Sequence, residues 1–146
     1  MADAVEPHST DALPARGFPA HGRVVFTMSE CCVVGDARGP FNEELVAQLQ
    51  RLLPGLLQQL AGREWTHLCR FHESALCSPE TLRALQAMLV SLAAAGMAPV
   101  RCAYVMGDDG EGASLMLPLF EQGFRHAGIG FAGFADEAAA RAWLGR

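Results

Sequence analysis

Few side chains in this chain are equipped for chemistry, and the thiols come first. Cys69 lies two residues after His67 and three before His72. A thiol beside an imidazole can ionise and attack as a thiolate. Cys77, five residues beyond His72, offers a second such thiol, and a cysteine-dependent enzyme is one reading of these residues. The competing reading places Cys69 on a strand as a small buried hydrophobe, the usual state of a free cysteine. The same His67–Cys69 spacing would supply two zinc ligands from one strand face, with Cys31 or Cys102 from a neighbouring strand as a third. No Cys-x-x-Cys or His-Glu-x-x-His spacing accompanies it, so neither a metal nor a cofactor is expected. The vicinal pair Cys31-Cys32 would point to opposite faces of a strand and not share a ligand.

The stretch from His72 to Glu80, His-Glu-Ser-Ala-Leu-Cys-Ser-Pro-Glu, is the most informative. It follows a strand and leads into a helix. In an open α/β sheet the carboxyl ends of strands are where ligands and partners are met. Ser78 before Pro79 is a helix N-cap, and the free amides there also suit a phosphate. His72, Glu73, Ser74 and Ser78 are therefore the candidate partner or regulatory residues. Asp108, Asp109 and Glu111 sit among glycines in an acidic loop that reads as a solvated turn, since a calcium or magnesium site needs more oxygen ligands at set spacing. Gly107, Gly110 and Gly112 lack the spacing of a dinucleotide fingerprint. Gly128, Gly130 and Gly133 lie in a strand, where they mark close backbone approach, a bulge or an open floor for a small ligand.

Composition narrows the choices further. All 11 basic residues are arginine, which removes lysine Schiff-base chemistry and the P-loop lysine. A formal charge of −5 disfavours nucleic acid and anionic membrane. The odd number of cysteines does not make a disulfide framework, the N-terminus has no apolar signal core, and no apolar run is long enough to span a bilayer. These features predict a cytoplasmic protein. The length of 146 residues suits one domain with its own core.

The elements that must position these residues are read from hydrophobic period. Residues 1–21, with Pro7, Pro14, Pro19 and Gly17, read as a flexible tail, and residues 22–146 as one domain. Val24, Phe26 and Met28 alternate with more polar neighbours and predict a strand. Cys31 to Ala37 predicts a second strand, antiparallel to the first and ended by Gly39-Pro40. Asn42 caps a helix whose stripe runs from Leu45 to Leu60, with a kink or brief stop at Pro54-Gly55. Trp65–Phe71 is a strand, Ser78–Gly96 a capped helix, and Val100–Met106 a strand apolar on both faces. A short helix from Ser114 to Gln122, with Pro118 near its first turn, a strand from Gly128 to Phe134 and a helix capped by Asp136 complete the chain. The expected order is ββαβαβαβα: an α/β fold, with a mixed sheet of about five strands and helices packed on it. A pocket under the helices near Phe131, Phe134 and Trp143 would suit a small apolar ligand or lipid.

With these residues in place, the chain resembles the STAS domains (sulfate transporter and anti-sigma-factor antagonist), in particular their SpoIIAA-like bacterial branch. The matching features are Gly39-Pro40-Phe41-Asn42 before the first helix, Ser78-Pro79-Glu80 at the second, and Ala140-Arg141-Ala142-Trp143-Leu144 near the end, within a match over residues 22–146. The resemblance implies a compact, non-catalytic regulatory or binding module, monomeric or homodimeric, whose partner is a protein or a small ligand. In the anti-sigma antagonists a serine at the start of the second helix is phosphorylated. That position falls here between Ser74 and Ser78, without the family's Asp-Ser-Ser/Thr-Gly type of motif.

Overall fold

The structure is a computed structural model, and it describes residues 7–12, 19–107 and 110–145. Among them the chain forms a six-stranded mixed sheet and four α-helices. The strands are β1 (His8–Ser9), β2 (Arg23–Ser29), β3 (Cys32–Arg38), β4 (Thr66–His72), β5 (Arg101–Val105) and β6 (Gly130–Phe134). The helices are α1 (Glu43–Gln58), α2 (Pro79–Ala94), α3 (Ala113–His126) and α4 (Glu137–Leu144). From β2 onward the order is the expected ββαβαβαβα. The sheet has six strands and not five, because His8 and Ser9, inside the stretch read as tail, pair antiparallel with Phe26 and Val25. Two residues are too few to show an alternating pattern, so this edge strand has no hydrophobic signature. Thr10–Ala12 of the same stretch form a 3-10 helix, and the buried Thr10 hydroxyl accepts from Val24 N at 3.3 Å, so this part too is not tail; residues 1–6 and 13–18 lie outside the described residues.

Spatial order follows chain order, β1-β2-β3-β4-β5-β6, with β3 to β6 parallel. Each crossover therefore steps one strand in the same direction. Crossovers of constant hand then place every connecting helix on one face. α1, α2 and α3 do share a face, over a core that includes Phe26, Val33, Leu45, Leu56, Met88, Tyr104 and Phe120. α4 has no later strand to reach and folds onto the opposite face, where Ala140 packs on Val34, Leu68 and Ala103.

Local chemistry sets the helix starts. The Asn42 Oδ1 accepts from Leu45 N at 3.1 Å and from His21 N at 2.8 Å, so one side chain caps α1 and anchors the chain entering β2. α1 runs unbroken through Pro54. Pro54 and Gln50 are exposed, so the Gln50 carbonyl that loses its intrahelical donor faces water. α3 is longer than its apolar pattern implied, and Pro118 is its sixth residue, beyond the first turn. A Cβ at Gly133 would lie 2.5 Å from Leu117, so this glycine admits a side chain of α3 and is not a ligand floor. No helix among the described residues is long and apolar enough to cross a membrane.

Candidate functional site

The sheet face under α1 and α2 does not close completely. A cavity of about 110 Å³ lies there, walled by apolar side chains from every neighbouring element, among them Phe26, Leu49, Trp65, Phe71, Leu85 and Met88. Phe131, Phe134 and Trp143 do not line it. Phe131 and Phe134 are three residues apart on β6 and so fall on opposite faces. Phe131 stacks on Phe124 at 4.8 Å, and Phe134 meets Trp143 under α4 at 5.8 Å. The apolar pocket exists, but on strands β2 to β5, away from the aromatic residues near the C-terminus.

Besides the thiols of Cys69 and Cys77, three polar side chains interrupt this wall: His67, Tyr104 and Thr81, whose hydroxyl is paired with Ser78 Oγ at 2.8 Å. His67 projects inward from β4 with Trp65, Cys69 and Phe71, as alternation on a strand requires. Its Nδ1–H donates to the Val33 carbonyl at 2.8 Å. A carbonyl can only accept, so Nδ1 carries the proton and Nε2 presents a lone pair. Burial lowers the His67 pKa against the opposing effect of the Val33 bond, which keeps the ring neutral. Nε2 has no protein partner among the described residues, and it is not sealed from solvent-sized space. Gly35 on β3 makes room for this ring, since a Cβ there would lie 3.2 Å from His67 Cε1. Tyr104 is the second polar residue. Its ring is boxed by Phe71, Phe120, Phe124 and Phe131 at centroid distances of 4.8 to 5.3 Å for three of them and 5.3 Å for Phe120. Its hydroxyl likewise has no hydrogen-bond partner among the described residues.

The thiols of Cys69, Cys77 and Cys102 are not activated. Burial pushes the Cys69 pKa far above the ordinary value, with the Asp36 charge adding to it. Burial raises Cys77 to about 11 and Cys102 well above the ordinary value. His72 cannot serve them as a base in this arrangement, because it lies on the other sheet face and its Nε2 donates to Asp36 Oδ1 at 2.9 Å. Among the described residues no group of three or more His, Cys, Asp and Glu could hold a metal ion. Asp108 and Asp109 of the acidic loop lie outside the described residues. Glu111 joins the segment after β4 through its backbone, donating to Glu73 O at 3.0 Å and accepting from Ala75 N at 2.9 Å.

The candidate residues of that segment separate into distinct roles. His72 belongs to an ionic network on the α4 face, where Arg70 grips both oxygens of Asp36 at 2.9 and 3.0 Å and reaches Glu137 at 3.0 Å. Glu73 is exposed, adopts a left-handed backbone at φ 67°, and pairs with Arg38 at 2.9 Å. Ser74 is buried, and its Oγ accepts from Leu76 N at 3.1 Å. Ser78 is exposed and caps α2 by accepting from Thr81 N at 3.1 Å. The segment also reaches the cavity, because Phe71, Cys77 and Thr81 line it. The four candidates therefore do not form one cluster: they frame the outer side of a loop whose inner side closes the cavity.

His67 and Tyr104 are the site residues that strand patterning alone did not single out as a pair. His67 stood out only as a partner for Cys69, and Tyr104 only as one apolar residue of a central strand. An inward histidine two positions from an inward tryptophan was the available signal. No protein-family model matches the chain, and no curated protein or solved structure matches it.

Proposed function

We propose that the chain is a non-catalytic, STAS-like binding module that holds a small apolar ligand in the cavity beneath α1 and α2. The cavity carries this reading: protein interiors are packed to crystal-like density, and about 110 Å³ of apolar space left open is a departure from that rule. The unactivated thiols favour binding over catalysis. The element order from β2 onward is the one read from hydrophobic period, an α/β arrangement with a mixed sheet. The loop from His72 to Ser78 shares Cys77 with the cavity wall, so an occupant can be felt at the surface a partner would meet.

Titration with toluene, followed by amide and methyl NMR shifts, tests the reading. Shifts concentrated at Leu49, Leu85, Met88 and neighbouring wall residues are the expected result. A spectrum unchanged at toluene saturation overturns it.

A further inference from the structure

We propose that the occupant is a small aromatic or alkyl molecule bearing one hydrogen-bond donor, of the phenol or alkanol class, and that the donor bonds to Nε2 of His67. The inference rests on the cavity being a ligand site and adds the chemistry of its ligand.

Three observations converge on it. The first is size. An apolar cavity of about 150 Å³ takes up benzene, and the space here, about 110 Å³, suits one ring or a short chain and not a large lipid. The second is polarity. The walls are hydrocarbon and aromatic, so a charged group would lose its hydration without replacement. The third is the direction of the one histidine bond. With Nδ1–H committed to Val33, Nε2 can only accept. It therefore selects an O–H or N–H and gives nothing to an ether or carbonyl. An imidazole acceptor facing apolar space would itself be under-solvated when a hydrocarbon fills the cavity, which favours a donor-bearing guest over a hydrocarbon of the same shape.

Phenol and toluene have nearly the same shape and differ in that one donor. The experiment measures both affinities on the full chain and on His67→Leu, together with the Nε2 resonance of ¹⁵N-histidine in the unmutated protein. His67→Leu is expected to reduce the preference for phenol relative to toluene about tenfold, the scale of a buried donor left without its acceptor. In the unmutated protein the His67 Nε2 resonance should move with phenol and stay with toluene. This second readout needs no variant, so a misfolded His67→Leu protein does not decide the matter. Phenol binding without an Nε2 response, or toluene binding without phenol binding, overturns the donor assignment and leaves the cavity reading intact. Binding of neither overturns both.

Discussion

Nδ1 of His67 lies 2.8 Å from the carbonyl oxygen of Val33, the residue opposite it on the neighbouring parallel strand. This one contact fixes the tautomer of a ring that faces an apolar cavity, and it ties the chemistry of the site to the register of β3 against β4. A one-residue slip of that register would turn His67 to the other face and remove the acceptor from the cavity.

Stability should depend on His67 below neutral pH. Burial depresses its folded-state pKa below the unfolded value of about 6.5. The neutral ring's contribution is therefore complete above about pH 6.5 and is lost as pH falls through the folded pKa. Urea midpoints measured from pH 7.5 to 5 should fall more steeply for the unmutated protein than for His67→Leu. Parallel curves would mean that the ring is already protonated or freely hydrated.

The Asp36 network should act in acid. Burial alone would raise the Asp36 pKa, but the hydrogen bonds and charges of Arg70 and His72 outweigh it and hold the carboxyl below its usual value. Its stabilisation is present above the unfolded carboxyl value, about pH 4, and disappears as pH drops through the lower folded value. About a third of each side chain is exposed, so solvent screens the pair. Asp36→Asn should cost about 1 kcal/mol at pH 7 by denaturant titration and should converge with the unmutated protein near pH 2.

Gly39 is a steric necessity of the cavity's outer rim. Its N–H donates to Ser74 O at 3.0 Å, and a Cβ on Gly39 would overlap that same carbonyl. Gly39→Ala should destabilise the fold by about 1–3 kcal/mol, the usual cost of overpacking. Faster amide exchange at Phe41, which bonds Leu76 O at 2.9 Å, should accompany the loss. Unchanged exchange would show that the rim tolerates the methyl group.

Ser78 and Ser74 should respond differently to substitution. Ser78→Ala removes the α2 cap and should cost about 1 kcal/mol, whereas Ser78→Asp, also a good cap, should restore most of it. Thermal melts of the two variants decide this. Were a kinase to act on this segment, exposed Ser78 and not buried Ser74 would be the hydroxyl within its reach, with peptide mass mapping as the readout.

Thiol labelling separates binding from catalysis. Iodoacetamide at pH 8 should modify half-buried Cys31 and Cys32 in the native protein, while Cys69 and Cys102 react only after unfolding. Cys77, with its pKa at about 11, should react slowly. Rapid labelling of Cys69 or Cys77 would revive a thiolate mechanism.

The hydrophobic period of the chain by itself determined most of the elements. Asn42, Ser78 and Asp136 marked helix starts, and Val24, Phe26 and Met28 marked a strand, because caps and alternation are local properties. Period also determined that His67, Cys69 and Phe71 share a face. It could not place His8 and Ser9, whose strand state depends on an edge of β2 lying open fifteen or more residues away. Alternation also puts His72, five residues on, across the sheet from His67, but it could not supply their partners, Asp36 for the one and Val33 for the other. The cavity belongs to the tertiary structure alone. It arises where side chains of α1, α2, α3 and four strands fail to meet, and such a gap is a property of packing in three dimensions, with no signature in any one segment.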